Sequence, residues 1–397
     1  SPPTLPDVSL FERPARPSAD PDALAQAAGM LSTAKRPVAV VDYLGDDVAI
    51  AGVVRLAEAL GMAVIDLGDL LNFPTDHPLN LTSGATEVLS EADVVLSVNA
   101  FDIEQALSTT GGGSRLPIRG IPDEAKVIDI SLREFAVRSW GQIHGKMFPL
   151  HVNIQADPAS AVIALADLVA VAGTSAGAAE RSARLGERHA ELLRVAREGA
   201  LASVKDGKIT RQYLGLALYE AIRGYDWVLA DRDIRGRAAL KLWDARHAYQ
   251  YQGTERSGLG NAYGRSLGVA LANRGTGRLT VNFQPDGDLL FTPSALWTAA
   301  HHEIPLLTVM HNNRSYNNDY VHQVEVAHHR DRPPENAVMG IDIDSPNVDF
   351  ATVARGFGVW AEGPVDKPED VQAAIERAAA YVAAEGKPAL VDVITTR

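Results

Sequence analysis

Apolar residues follow two rhythms that alternate along the chain. Runs without a polar face occur at 37–42, 63–66, 93–98 and 126–130, and between them residues 23–33 and 50–60 repeat apolar positions at helical spacing. Strands apolar on both faces and separated by helices predict a parallel sheet covered on both sides. A second series follows at 227–231, 279–283, 306–310 and 389–393, with helical periods over 263–273, 294–302 and 368–385. Small residues fill 171–179, and a charged helical stretch runs from 180 to about 205. The expected organisation is α/β: two doubly wound parallel-sheet domains. The first, 1–178, includes an extended lead-in rich in Pro, Asp and Ser. A helical linker over 179–205 joins it to the second domain, 206–397.

Composition narrows the chemistry. The formal net charge is −13, which argues against a nucleic-acid role, because phosphate backbones need a basic face. There is no cysteine, so disulfides, a thiolate nucleophile and Cys-ligated zinc are all excluded. No apolar stretch approaches the ~20 residues of a membrane span, and the N-terminus shows no signal-peptide pattern. A cytoplasmic protein without membrane contact is expected, and the sequon Asn80-Leu81-Thr82 reads as chance.

The chemistry concentrates in Pro285-Asp286-Gly287 and Asn312-Asn313-Arg314-Ser315-Tyr316, with 24 residues between them. Each falls just past a predicted parallel strand, where ligands bind in open α/β sheets. Asp286 offers a carboxylate oxygen, Asn313 an amide oxygen and Ser315 a backbone carbonyl. With diphosphate oxygens and water, these can complete the octahedral oxygen cage of magnesium. Gly287 permits close backbone approach.

Asp-Gly, the gap and Asn-Asn resemble the Gly-Asp-Gly…Asn-Asn signature of thiamine-diphosphate enzymes, with Pro285 in place of the first glycine. Two further segments resemble the benzoylformate decarboxylase and acetolactate synthase group. They are Ser294-Ala295-Leu296-Trp297-Thr298-Ala299-Ala300 with Glu303-Ile304-Pro305, and the turn Ser257-Gly258-Leu259-Gly260-Asn261-Ala262. The resemblance covers nearly the whole chain and is most specific over 250–320. It implies magnesium on Asp286, Asn313 and the Ser315 carbonyl. It also implies cofactor contacts at Ser257, Gly258, Leu259, Gly260, Asn261, Asp286, Gly287, Asp288, Asn313, Ser315 and Tyr316. Leu259 matches the apolar residue that props the bent cofactor in part of the group.

Enzymes of this group run pyrimidine-binding domain, middle domain, diphosphate-binding domain. Here the run Arg16-Pro17-Ser18-Ala19-Asp20-Pro21, Lys35-Arg36-Pro37, and Phe73-Pro74-Thr75-Asp76-His77-Pro78 all resemble the middle domain. The glutamate that activates the aminopyrimidine belongs to the pyrimidine-binding domain, and no Glu of this chain carries over to it. The expectation is a large subunit completed by a separately encoded small subunit, within a hetero-oligomer, with a clipped chain as the rival explanation. The reaction implied makes or breaks a carbon–carbon bond beside a carbonyl, as a lyase, carboligase or decarboxylase. Its substrates would be 2-oxo acids, 2-hydroxy ketones or diketones. The alternatives are an acetolactate-synthase-like transferase, whose middle domain can hold a flavin nucleotide (FAD), and a non-catalytic binding homologue.

No residue is carried over as catalytic, and His77 and His322 stand as candidates. Asp102, Glu104 and Gln105 read as a solvated helix start. Arg232 and Asp233 follow a strand end and read equally as a plain turn or as residues approaching the diphosphate. Gly111-Gly112-Gly113-Ser114 reads as a loop rather than a phosphate cradle, and His328-His329 finds no third ligand at a known zinc spacing.

Overall fold

Strands that lack a polar face must be covered on both sides, and the chain provides that cover twice. The computed structural model describes residues 7–397 apart from 13, 69, 110–117, 134–147, 174, 232–241 and 252–257. The first sheet contains β1 (Pro37–Val41), β2 (Ala63–Asp66), β3 (Val94–Val98), β4 (Lys126–Ser131) and β5 (Val152–Gln155), in the order β2-β1-β3-β4-β5. All its pairings are parallel. Side chains of a strand alternate between faces. Ala39, Val41, Leu96 and Ile128 therefore join one core with the helices Asp47–Leu60 and Pro158–Ala172, while Val38, Val40, Val95 and Val127 join another on the opposite face. Asp46 and Asp157 cap those two helices, each accepting a backbone N–H three residues on.

The second sheet contains β6 (Trp227–Asp231), β7 (Leu279–Pro285), β8 (Leu306–Asn312), β9 (Trp360–Val365) and β10 (Ala389–Ile394), in the order β9-β10-β8-β7-β6. It too is parallel throughout. The fold is thus two doubly wound parallel α/β sheets, as the hydrophobic pattern predicts. That pattern misses one edge strand in each sheet. β5 alternates buried and exposed residues, and β9 carries Gly363 and Pro364 with mostly half-buried positions. An edge strand needs only one apolar face, so a search for two-sided runs passes over it.

The helix Ala178–Ala202 connects the two units and is tied to the second by an ion pair of 2.8 Å between Arg197 and Glu220. A second seam is laced by hydrogen bonds. Leu71 N donates to the Tyr251 carbonyl (3.2 Å), Thr75 N to the Ala245 carbonyl (2.9 Å) and Ala245 N to Thr75 Oγ1 (2.8 Å). Arg246 adds two bonds to Asp76 Oδ2. Leu71 itself is buried in the core of the second unit. Among the described residues, no helix is long and apolar enough to cross a membrane.

Candidate functional site

β7 and β8 are hydrogen-bonded neighbours whose C-terminal ends lie side by side, with Pro285 opposite His311. Both strands run two residues beyond the apolar runs that announce them, so the motif begins inside the ladder. Pro285 is tolerated because it is the last residue of its strand, where a missing N–H costs no central ladder bond.

Asp286 opens the short helix Asp286–Phe291 and joins the two halves of the motif. Its Oδ1 accepts from Gly287 N (2.8 Å) and its Oδ2 from Arg314 N (2.6 Å). Only 2% of the residue is exposed. Burial pushes its pKa up to about 7 against the pull of these N–H donors. Among the described residues its hydrogen-bond donors are all backbone groups, and none sets a countercharge on the dehydrated carboxylate. A hard cation would supply that charge, and the residues present fit one. Asn313 Oδ1 accepts from Ser315 N (3.0 Å) in a tight turn through Arg314, whose φ is +56°. That turn holds the Asn313 amide oxygen and the Ser315 backbone beside Asp286. Ser315 is pinned in turn by a bridge to Asp342.

The two asparagines therefore have separate tasks. Asn312 is buried and donates to Asp392 Oδ1 (2.9 Å) on β10, while Asp392 Oδ2 accepts from Phe350 N (3.1 Å). Burial pushes the Asp392 pKa up to about 6. Asn313, half-buried, is the one beside Asp286.

Gly287 is required by packing. A Cβ there would lie 2.4 Å from Cε1 of Tyr316, whose ring also meets Phe291 edge-on at 6.2 Å. Burial raises the Tyr316 pKa, and the nearby Asp286 and Asp288 raise it further. Gly260 has φ +92°, and a Cβ there would lie 2.7 Å from Cβ of Phe291. Its N–H donates to Asp288 Oδ1 (2.7 Å), and its carbonyl accepts from Thr292 Oγ1 (2.8 Å). The turn at 258–261 is thereby clamped onto the helix that Asp286 begins. Leu259 stands half-exposed on that turn, Gly258 is exposed, and Asn261 leads into the helix Ala262–Ala272.

Asp288 serves this clamp. Its second oxygen accepts from Gln284 Nε2 (2.9 Å), and Gln284 Oε1 accepts from Asn282 Nδ2 (2.8 Å). Asn282 and Gln284 are fully buried. Sequence reasoning passed over this relay, although two amides inside an otherwise apolar strand were its signal: buried polar groups persist where they are bonded.

The structure thus gathers Gly260, Asp286, Gly287, Asp288, Asn313, Ser315 and Tyr316. It places other candidates elsewhere. His77 Nδ1 accepts from Leu79 N (3.1 Å), and its ring packs edge-on against Phe73. His322 is exposed on the helix Asn317–His329. Asp102 accepts from Gln105 N (3.0 Å) as a helix cap. Ser257, Arg232, Asp233 and the segment 111–114 lie outside the described residues. Among the described residues, no three His, Cys, Asp or Glu side chains gather as a metal site. A cation here would rest on one carboxylate with amide and carbonyl oxygens.

Comparison with known proteins bears on the same region. Residues 237–393 match the family described as thiamine pyrophosphate enzyme, C-terminal TPP binding domain. The acetolactate synthase large subunit IlvG of Mycobacterium tuberculosis is 27% identical over 402 aligned residues, covering 98% of this chain and 64% of that protein. IlvX of the same organism is 31% identical over 132 residues, 33% of this chain and 24% of that protein. The chain thus spans less than two thirds of either relative. Among solved structures, the thiamine diphosphate-dependent 4-hydroxybenzoylformate decarboxylase of Rhodococcus jostii RHA1 superposes with a TM-score of 0.68 at 20% identity. That match covers 99% of this chain and 68% of the other, and it shows a shared fold.

Proposed function

We propose that the edge bearing Asp286 and Asn313, within the residues 237–393 that match the C-terminal TPP binding domain of thiamine pyrophosphate enzymes, binds the cofactor's diphosphate through magnesium. The observation that carries this reading is the Asp286 carboxylate, buried, bonded among the described residues only to backbone N–H groups and fixed between two adjacent strand ends. Asp286, Asn313 Oδ1 and the Ser315 carbonyl would hold the metal, an all-oxygen set suited to magnesium. Gly287 and Gly260 let Tyr316 and Phe291 pack closely here, and these two side chains would wall the site. When bound, thiamine diphosphate supplies the carbon centre at which a bond beside a carbonyl is made or broken.

The reaction proposed is lyase, carboligase or decarboxylase chemistry on 2-oxo acids, 2-hydroxy ketones or diketones. The activating glutamate would come from a pyrimidine-binding unit on a smaller partner chain, in a hetero-oligomer. A second reading, an acetolactate-synthase-like transferase, draws on the 27% identity to IlvG along nearly the whole chain. Flavin carried through purification, and acetolactate formed from pyruvate, would select it over the first.

Calorimetric titration with thiamine diphosphate tests the shared premise. Binding is expected only with magnesium present, lost in Asp286→Ala and kept in His77→Ala. Equal affinity with and without the metal would refute the proposed site.

A further inference from the structure

Where β1 and β2 begin, the opening turns of the helix Ala178–Ala202 close over a cavity of about 270 Å³. Its charged lining is Arg36, Arg181, Arg184 and Arg188 against Glu87 and Glu91. Arg181, Arg184 and Arg188 follow one another at spacings of three and four, so one face of that helix carries them all. The two glutamates do not cancel this charge. Arg188 Nη2 contacts Glu87, and Arg36 stands 3.9 Å from Glu91. Arg181 uses its guanidinium on the Leu60 and Ala176 carbonyls and on Ser175 Oγ, none of which is an anion.

Arg184 has no carboxylate partner among the described residues. Arg188 Nε is buried and has no acceptor, an arrangement that folded proteins rarely leave unsatisfied. Between these groups the cavity is apolar, lined by Val38, Ala63, Val88 and Leu185. The space is therefore cationic at one side and apolar at the other.

We propose that this cavity binds a small anion with an apolar body of a few carbons, its carboxylate or phosphate head taken by Arg184 and Arg188. A guanidinium fork matches either head with paired N–H donors. The apolar body would lie on Val88 and Ala63. The site is remote in sequence from the motif of the second sheet and independent of what that motif binds. Its helix is nevertheless the one whose Arg197 grips Glu220, so the ligand rests on an element shared by both units.

Calorimetry on the full chain, with a chelator present to disable the metal-dependent site, tests this with butyrate, butyl phosphate, inorganic phosphate and butylamine. At least one of the two butyl anions is expected to bind, and butylamine is not. Binding of butyrate alone would identify a carboxylate head, and of butyl phosphate alone a phosphate head. Arg184→Ala should weaken binding by roughly tenfold or more, the usual worth of a charge-assisted hydrogen bond. Arg184→Lys should recover part of that loss. Val88→Phe should block binding by filling the apolar side without touching a charge, with unchanged circular dichroism showing that the fold is kept. No binding of either butyl anion, or unchanged affinity in both Arg184→Ala and Val88→Phe, would overturn the proposal. Inorganic phosphate binding as tightly as the butyl anions would overturn the apolar half of it.

Discussion

Asp286→Asn should make the protein without cofactor more stable at pH 8, though not near pH 4. Burial raises the carboxyl pKa from its usual 3.8 to about 7. Each tenfold change is about 1.36 kcal/mol, so the folded protein bears roughly 4 kcal/mol for holding this group ionised. The sign follows from which state loses its proton first. Between about pH 4 and pH 7 the unfolded chain is ionised at this residue while the folded chain is still protonated. Wild-type stability therefore falls as pH rises through that window. An asparagine stays uncharged throughout this window, but its Nδ2 cannot accept the N–H that one carboxyl oxygen takes, so near pH 4 the variant should start about 1–3 kcal/mol below wild type. It should then gain on wild type by roughly 4 kcal/mol by pH 8. Urea unfolding in a chelator, followed by tryptophan fluorescence in a Trp140→Phe background, reads the right unit, since the other four tryptophans, Trp227, Trp243, Trp297 and Trp360, all lie in the second half of the chain. With magnesium and thiamine diphosphate added, wild type alone should gain, by about 2.7 kcal/mol at a hundred times the ligand's Kd, which removes most of the variant's advantage at pH 8. Parallel pH profiles for the two proteins would refute the reasoning.

Gly287→Ala should cost about 1–3 kcal/mol through its collision with the Tyr316 ring. A double-mutant cycle with Tyr316→Ala should recover most of that loss, and purely additive effects would count against the contact. Asp288→Asn should loosen the turn at 258–261 by roughly 1–3 kcal/mol, read as faster amide exchange at Gly260. Unchanged protection of that amide would contradict the clamp. Leu71→Ala should lower the stability of the second unit by about 2–4 kcal/mol, although the residue belongs to the first. A loss confined to the first unit would argue against the seam.

Both sheets were legible in the sequence because their central strands, such as β1 and β8, are apolar on both faces and bounded by helical periods. β5 and β9 were not, since edge strands need only one buried face. Asp286, Gly287 and Asn313 could be read from their spacing and residue type, because a metal site of that chemistry needs oxygen donors past two strand ends. The structure shows that Asp286 also bonds Arg314 N, an arrangement set by strand pairing that no residue pattern displays. Asn312 and Asn313 are identical letters with opposite surroundings, and only the register of β8 against β10 separates them. Gln284 and Asn282 were visible as polar residues in an apolar run, but their service to Gly260 depends on a loop returning from outside the strand. His77 drew notice for its chemistry, and its place against Phe73 was set by tertiary packing.

The placement of Leu71 bears on how the gene could be cut. Expressed by itself, a fragment starting at the connecting helix would contain every strand of the second sheet, yet it would leave behind the side chain that fills its core beside Trp243 and Tyr251. Such a fragment would display an apolar hollow, an invitation to aggregate. Supplying a short peptide spanning 69–78 in trans, or grafting those residues through a linker, would restore the missing wall. Swapping units between homologues would need the same care. The joint to preserve in a chimera is the match between 71–76 and 243–251, because the boundary drawn by chain order and the boundary drawn by packing differ there.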